Sequence, residues 1–152
     1  MRTDPWLDDS CPIARGMAVI GQRWAVLIVR EAMLGRTRFS EFREQLGIAS
    51  DVLSARLGEL VASGVLEQVE YREPGDRTRS RYELTAAGRD LGVVLAAIGQ
   101  WAYRHGDPAK GASHRFVEAS TNQPVIAGFR RKDGTAVADV DVRLIERPVK
   151  RR

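Results

Sequence analysis

The sequence predicts a mainly α chain with a β wing, an α+β fold. Three observations carry this: two short amphipathic stretches with a glycine between them at 39–62, two strand-like runs around a Pro-Gly turn at 65–84, and longer apolar stripes of helical period on either side. The order helix, turn, helix, hairpin is that of a winged helix-turn-helix. Beyond residue 107 the pattern changes again, to short strand-like runs that predict a C-terminal β-hairpin appendage.

The elements follow in chain order. Cys11-Pro12 can open a first helix, with Pro12 at the first position, where its missing N–H costs nothing, and with Ile13, Met17 and Ile20 along one face. After a break at Gly21, Trp24, Leu27 and Ile28 continue in a helix that ends at Gly35. Phe39, Phe42 and Leu46 then fall at i, i+3 and i+7, and Gly47 stops that helix. Ser50 can cap the next one, whose stripe is Leu53, Leu57, Leu60 and Val61. Asp51, Ser54, Ala55, Gly58 and Ala62 are left on the opposite face, which is small and polar and fits close against a partner. Two short helices with a tight turn match the helix-turn-helix, whose second helix enters the DNA major groove N-terminus first. A plain helical hairpin in an all-α core has the same pattern.

Gly64 closes the second motif helix, and Val65, Glu67, Val69 and Tyr71 alternate with Leu66, Gln68 and Glu70 as a strand. After the Glu73-Pro74-Gly75-Asp76 turn, Arg77, Arg79 and Arg81 come at every second position before Tyr82-Glu83-Leu84, so a return strand points three guanidiniums to one side. Such a wing either contacts phosphates or the minor groove, or is a solvated edge that discourages strand-to-strand aggregation. Thr85 caps a longer helix in which Leu91, Val94, Leu95, Ile98, Trp101 and Ala102 recur at three- and four-residue intervals. That stripe needs burial, in its own subunit's core or against another chain. In the appendage Pro124 to Phe129 reads as a strand, Asp133-Gly134 is a two-residue hairpin signal, and Val137 to Ile145 alternates Val140, Val142 and Leu144 with Asp139, Asp141 and Arg143. The expected divisions are a DNA-binding and dimerisation domain at 11–106, the hairpin appendage at 112–147 and a basic tail at 148–152.

A chain of 152 residues with 43% hydrophobic content supports one compact domain plus an appendage. No apolar run approaches a membrane span, and Met1 to Asp9 carries acidic residues where a secretory signal needs a basic end and an apolar middle, so a cytoplasmic protein without membrane contact is expected. One cysteine excludes an intramolecular disulfide framework. No Cys/His cluster has metal-ligand spacing, and no Ser/His/Asp arrangement, phosphate-binding glycine loop or paired carboxylates point to catalysis, so neither metal, cofactor nor enzymatic activity is expected. His105 and His114 read as surface residues. The net charge of +4 invites a nucleic-acid reading, but residues 1–64 hold eight basic and eight acidic side chains and 65–111 hold seven of each. The excess lies wholly beyond residue 111, so DNA binding has to be argued from where individual arginines stand.

From Cys11 to about Tyr103 the sequence resembles the HxlR-type transcriptional regulators, winged-helix proteins similar in core fold to the MarR group. The likeness is carried by Cys11-Pro12-Ile13, Ile20-Gly21-Gln22-Arg23-Trp24, Arg38-Phe39-Ser40-Glu41-Phe42, Val52-Leu53-Ser54-Ala55-Arg56-Leu57, and Tyr82-Glu83-Leu84-Thr85 with Gly88. It implies a sequence-specific DNA-binding homodimer, usually a repressor acting near its own or a neighbouring gene on a pseudo-palindromic operator. It also implies long dimerisation helices, the first and last packing across a two-fold axis through Ile13, Met17, Leu91, Val94, Leu95, Ile98 and Trp101. Two recognition helices would then meet half-sites roughly 34 Å apart. Some relatives sense quinones, aldehydes or oxidants through a cysteine at the position matching Cys11, which makes Cys11 a candidate redox sensor. A small buried interface cysteine is the alternative, and a non-covalent small-molecule effector is equally open. Some longer relatives carry a Cys-x-x-Cys-Gly element where this sequence has Arg130-Arg131-Lys132-Asp133-Gly134, which argues against a metal there.

The expected partners are therefore double-stranded DNA, a second copy of the chain and a small-molecule effector. Ser50, Asp51, Ser54 and Ala55 would face bases, Arg38, Arg43 and Arg56 would reach phosphates, and Arg77, Arg79 and Arg81 would form the wing contact. Asp51 suits only a cytosine N4 donor or the helix N-terminus. Arg56 lies about 60° from the core stripe and has a second option, bracing its helix through a buried pairing. The competing class is a winged helix used for protein–protein contact, its basic tail meeting an acidic partner.

Overall fold

The computed structural model describes Leu7 and residues 9–146, so the tail at 148–152 lies outside the described residues. The order is α1 (Pro12–Ile20), α2 (Arg23–Met33), α3 (Phe39–Leu46), α4 (Ser50–Ala62), β1 (Leu66–Tyr71), β2 (Arg79–Leu84), α5 (Ala86–Asp90), α6 (Gly92–His105), β3 (Phe129–Arg130) and β4 (Ala136–Val137). The chain divides into two compact units, Met1–Gly92 and Val93–Arg152. Among the described residues no helix is long and apolar enough to cross a membrane.

The first unit is a winged helix-turn-helix built on one small core. Ile28 and Val29 of α2, Phe42 of α3, Leu53, Leu57 and Leu60 of α4, and Leu66 of β1 are its fully buried side chains. Each stabilises the fold by ~1.5–3 kcal/mol relative to exposure. Gly47 ends α3 in the left-handed conformation, at φ 60°, which lets the chain turn directly into α4. β1 and β2 pair antiparallel from Leu66 opposite Leu84 to Tyr71 opposite Arg79. Their turn closes through a bond from the Asp76 N–H to the Glu73 carbonyl at 3.0 Å, with Gly75 at φ 83°.

Two helix expectations change here. The cap of α4 is Ala49, not Ser50: the extended residue is Ala49, its carbonyl accepts the Leu53 N–H at 2.9 Å, and Ser50 is already inside the helix. Thr85 does cap a helix, its Oγ1 accepting the Gly88 N–H at 3.1 Å, but that helix is only α5. Its hydroxyl also donates to the Val65 carbonyl at 3.1 Å, and its N–H bonds the same carbonyl, so this turn is tied to the end of α4 and the start of the wing. The chain then tightens at Leu91, whose N–H reaches Gly88 at 3.2 Å, before α6 begins at Gly92. One long helix is thus two.

In the second unit α6 is followed by a turn at Pro108–Lys110 and by two small hairpins. The first is a bridge between Val117 and Pro124, closed by the Glu118 N–H to Gln123 at 2.9 Å. The second pairs β3 with β4, with Gly134 at φ 91° in its turn. The expected strands at Pro124 to Phe129 and Val137 to Ile145 are mostly absent. Only Phe129 and Val137 of those runs lie in a strand, and Asp139–Asp141 forms a 3₁₀ turn whose hydrogen bonds are local. Alternation predicts a strand only where one face is buried, and Val140 and Leu144 are exposed.

Gly88 provides a sharp test of the junction. A Cβ there would stand 2.2 Å from the Val65 carbonyl oxygen and 2.8 Å from Leu84 Cδ2. Gly88→Ala should therefore lower stability by ~1–3 kcal/mol in chemical denaturation, against the gain of ~1 kcal/mol that alanine brings to an open helix. A stability equal to or above wild type would show that α5 does not press on the wing.

Candidate nucleic-acid interface

On α4 the face opposite the leucines presents Ser50, Asp51, Ser54, Ala55, Gly58 and Ala62, all exposed. Ala49 offers no side-chain acceptor, so the first N–H groups of α4 are left for an outside acceptor such as a phosphate. Arg43, in the last turn of α3, donates to the Ser50 hydroxyl at 3.3 Å and so stands beside that helix end. At α3 a side chain of the first turn reaches back to the residues that lead into the helix. The Glu41 carboxylate accepts the N–H of Thr37 at 2.8 Å and of Arg38 at 2.9 Å. Those bonds, Arg38's first and then Thr37's, hold its carboxyl below the ordinary carboxylate value, and the charges of Arg38 and Arg36 act the same way.

The wing is fastened to the motif by a contact with no sequence periodicity. Between α2 and α3 the chain runs extended beside β2: Tyr82 N–H donates to the Thr37 carbonyl at 2.7 Å, and Arg38 bridges Arg81. Above this seam Tyr71 holds two guanidiniums, Arg38 at 5.6 Å and Arg81 at 5.9 Å from its ring centroid. Arg38 also lies 3.4 Å from Glu73, and Arg81 lies 2.6 Å from Glu83. A cleft of about 470 Å³ opens there between Arg38, Ser40, Tyr71 and Arg79. Below it Glu31 is buried, its carboxylate 2.7 Å from Arg30 and 3.4 Å from Arg36, while its carbonyl accepts the Arg36 N–H. Glu31 and Tyr71 were missed as site-building residues, because neither charge nor aromaticity in a sequence tells which neighbour it will meet.

The structure separates the wing arginines. Arg77 precedes β2 and is exposed, so the alternation on the strand covers only Arg79 and Arg81. Arg79 lies 3.2 Å from Asp76 at the tip, whereas Arg81 belongs to the half-buried base. Arg56 is not a free phosphate ligand either: its side chain is 19% exposed, hydrogen-bonds Gln22 and lies 2.5 Å from Glu59. That is the bracing arrangement, joining α4 to the start of α2. Cys11 is exposed as the N-cap of α1, and its N–H donates to Asp9 Oδ1 at 2.7 Å. On α1, Ile13 and Met17 are exposed. On α6, Ile98 and Trp101 are exposed and Val94 and Leu95 half-buried, as is Leu91 before it; Val93 and Tyr103, which the stripe did not include, are exposed as well.

The model of the family described as HxlR-like helix-turn-helix matches residues 19–110. The HTH-type transcriptional regulator Rv3095 of Mycobacterium tuberculosis is 37% identical over 111 residues, 70% of this chain and 69% of its own length. Among solved structures, PA1607, described as a candidate transcription factor, superposes with a TM-score of 0.78 at 39% identity over 93% of this chain and 98% of its own. The redox regulator HypR in its reduced form gives 0.58 at 27% identity over 66% of this chain and 98% of its own.

Glu41 yields a prediction with a definite sign. Its folded-state carboxyl is depressed below 4.5, so its contribution is complete above the unfolded value and is lost as pH falls through the lowered one. Denaturation of wild type should show that loss in acid, and Glu41→Gln should be less stable at neutral pH with the acid-dependent part removed. Parallel pH profiles for the two proteins would contradict the cap.

Proposed function

Because this chain belongs to the HxlR-like helix-turn-helix family and is a DNA-binding transcriptional regulator, not an enzyme, we propose that it acts as a homodimeric repressor on a pseudo-palindromic operator. The observation that supports this most is the exposed, small and polar face of α4, with an uncapped N-terminus, beside a wing locked to the same motif. Ser50, Asp51, Ser54 and Ala55 read bases; Arg38 and Arg43 hold phosphates on either side of α3; Arg77 and Arg79 carry the wing contact. Arg81, its side chain 43% exposed, adds to that contact from the base of the wing, while Arg56 braces α4 against the start of α2. Ile13, Met17, Leu91, Val94, Leu95, Ile98 and Trp101 form the two-fold contact, which their exposed or half-buried apolar surface supports. In this reading 11–106 is the DNA-binding and dimerisation domain, 112–147 the appendage and 148–152 a basic tail.

The signal enters through Cys11 or through a non-covalent small molecule. The likeness to a redox regulator and the exposure of the thiol favour Cys11. With one cysteine per chain, the modified state is an intersubunit disulfide, a mixed disulfide with a small thiol, or an alkylated thiol.

Gel-shift titration of the chain's own upstream region against random DNA tests the reading. Arg77→Ala with Arg79→Ala should weaken binding to both and flatten the salt dependence by about 2 in log–log slope; an unchanged slope would return the wing to a solvated edge. An oxidant or quinone should release wild type from the operator and leave Cys11→Ser bound, and identical responses would remove the thiol from the account.

A further inference from the structure

The second unit lacks something every ordered segment needs. From Asp107 to Glu146 no described side chain is buried; only Val117, Ala127 and Val137 are even half-covered. Yet the segment is folded. Its hairpins have one bridge and two paired positions, far less than an isolated hairpin needs to persist in water. What fixes it to α6 is polar: the Gln100 side chain accepts the Ala127 N–H at 2.6 Å and donates to the Ala127 carbonyl at 3.0 Å, as a neighbouring strand would. Around that anchor the apolar groups face outward, Ile126 at 85%, Val140 at 92% and Leu144 at 89% exposure against the whole described chain.

We propose that the appendage is an intersubunit element, covered by a second copy of this chain. The inference rests on the homodimer reading above and adds residues 124–145 to its contact. Three observations favour a second copy over other occupants. The apolar surface is continuous with α6: Tyr103 of α6 and Ile126, Phe129 and Val137 of the hairpin line one open groove of about 530 Å³. The amount fits, since Tyr103 and Phe129, each more than half exposed, together with Ile126, Val140 and Leu144 supply a large part of the ~800 Å² per partner of a standard interface. The charge also fits, because residues 112–146 hold five basic and five acidic side chains, a balance that calls for neither a polyanion nor a polycation. In a two-fold pair the same surface is used twice, so the groove of each protomer receives apolar side chains of the other.

Sedimentation velocity over a dilution series decides this for wild type, the double variant Val140→Asp with Leu144→Asp, and Trp101→Glu. The double variant alters two side chains that no part of the described chain covers, so it should fold, and its dimer dissociation constant should rise roughly tenfold or more. In wild type, hydrogen exchange across 124–145 should be slow above the dissociation concentration and accelerate on dilution below it, which tests the same point without a substitution. A double variant that dimerises as wild type does, with exchange independent of dilution, overturns the inference; Trp101→Glu becoming monomeric in that case leaves the homodimer reading standing. A wild type that stays monomeric at all concentrations overturns both.

Discussion

A short seam of backbone, the extended residues Thr37 and Arg38 lying against β2, holds the reading apparatus in one piece. The Tyr82 N–H to Thr37 bond and the Arg38–Arg81 bridge add a third strand's worth of pairing to a two-stranded wing. A two-stranded ribbon alone is marginal in water. Because Arg38 is also the residue from which α3 starts, the wing cannot swing without moving the helix-turn-helix. Everything packed around the seam serves to keep it there: Glu31 pins the connector from below through Arg30 and Arg36, and Tyr71 closes it from above between two guanidiniums. Because Glu31 is paired with both Arg30 and Arg36, loss of either arginine leaves its buried carboxylate with one cationic partner.

This construction divides the arginines by task. Arg30, Arg36 and Arg56 are engaged in ion pairs of the protein itself, whereas Arg81, paired with Glu83 of its own strand, keeps a side chain that is 43% exposed. Arg43 and Arg77 remain accessible, and Arg38 and Arg79 are exposed beside their pairings with Glu73 and Asp76; these four are the arginines to which the proposed reading gives phosphates. A unit with balanced charge thereby gains a local cationic rim without a large field. In the proposed reading, affinity comes from the rim and from doubling by a second copy, and specificity from the small face of α4.

The sequence showed most of this frame and little of its fastening. Helical period located α2, α3 and α4 because Ile28, Phe42, Leu53 and Leu57 are buried in one core, the condition under which period means something. Gly47 and Gly75 marked turns that need a left-handed residue. Failures came where structure is set by single contacts. Thr37 beside Tyr82 leaves no pattern in either segment, the break at Leu91 falls inside an apolar stripe of helical period, and the alternation of Val140, Val142 and Leu144 lacks the buried face that would make it a strand in a single chain. Arg56 shows the same limit at the site: direction on a helix placed it near the core, and only the neighbours Gln22 and Glu59 decided its part.

Wing and helix-turn-helix form one rigid unit, joined at Thr37 and Tyr82. Native-state hydrogen exchange at the Tyr82 amide measures it most directly. If the seam holds, that amide exchanges only with global unfolding, at the rate set by the same free energy as Leu57 in the core. Exchange at the low free energy of the Glu73–Asp76 turn would contradict the account, because the wing would then open while the motif stays folded.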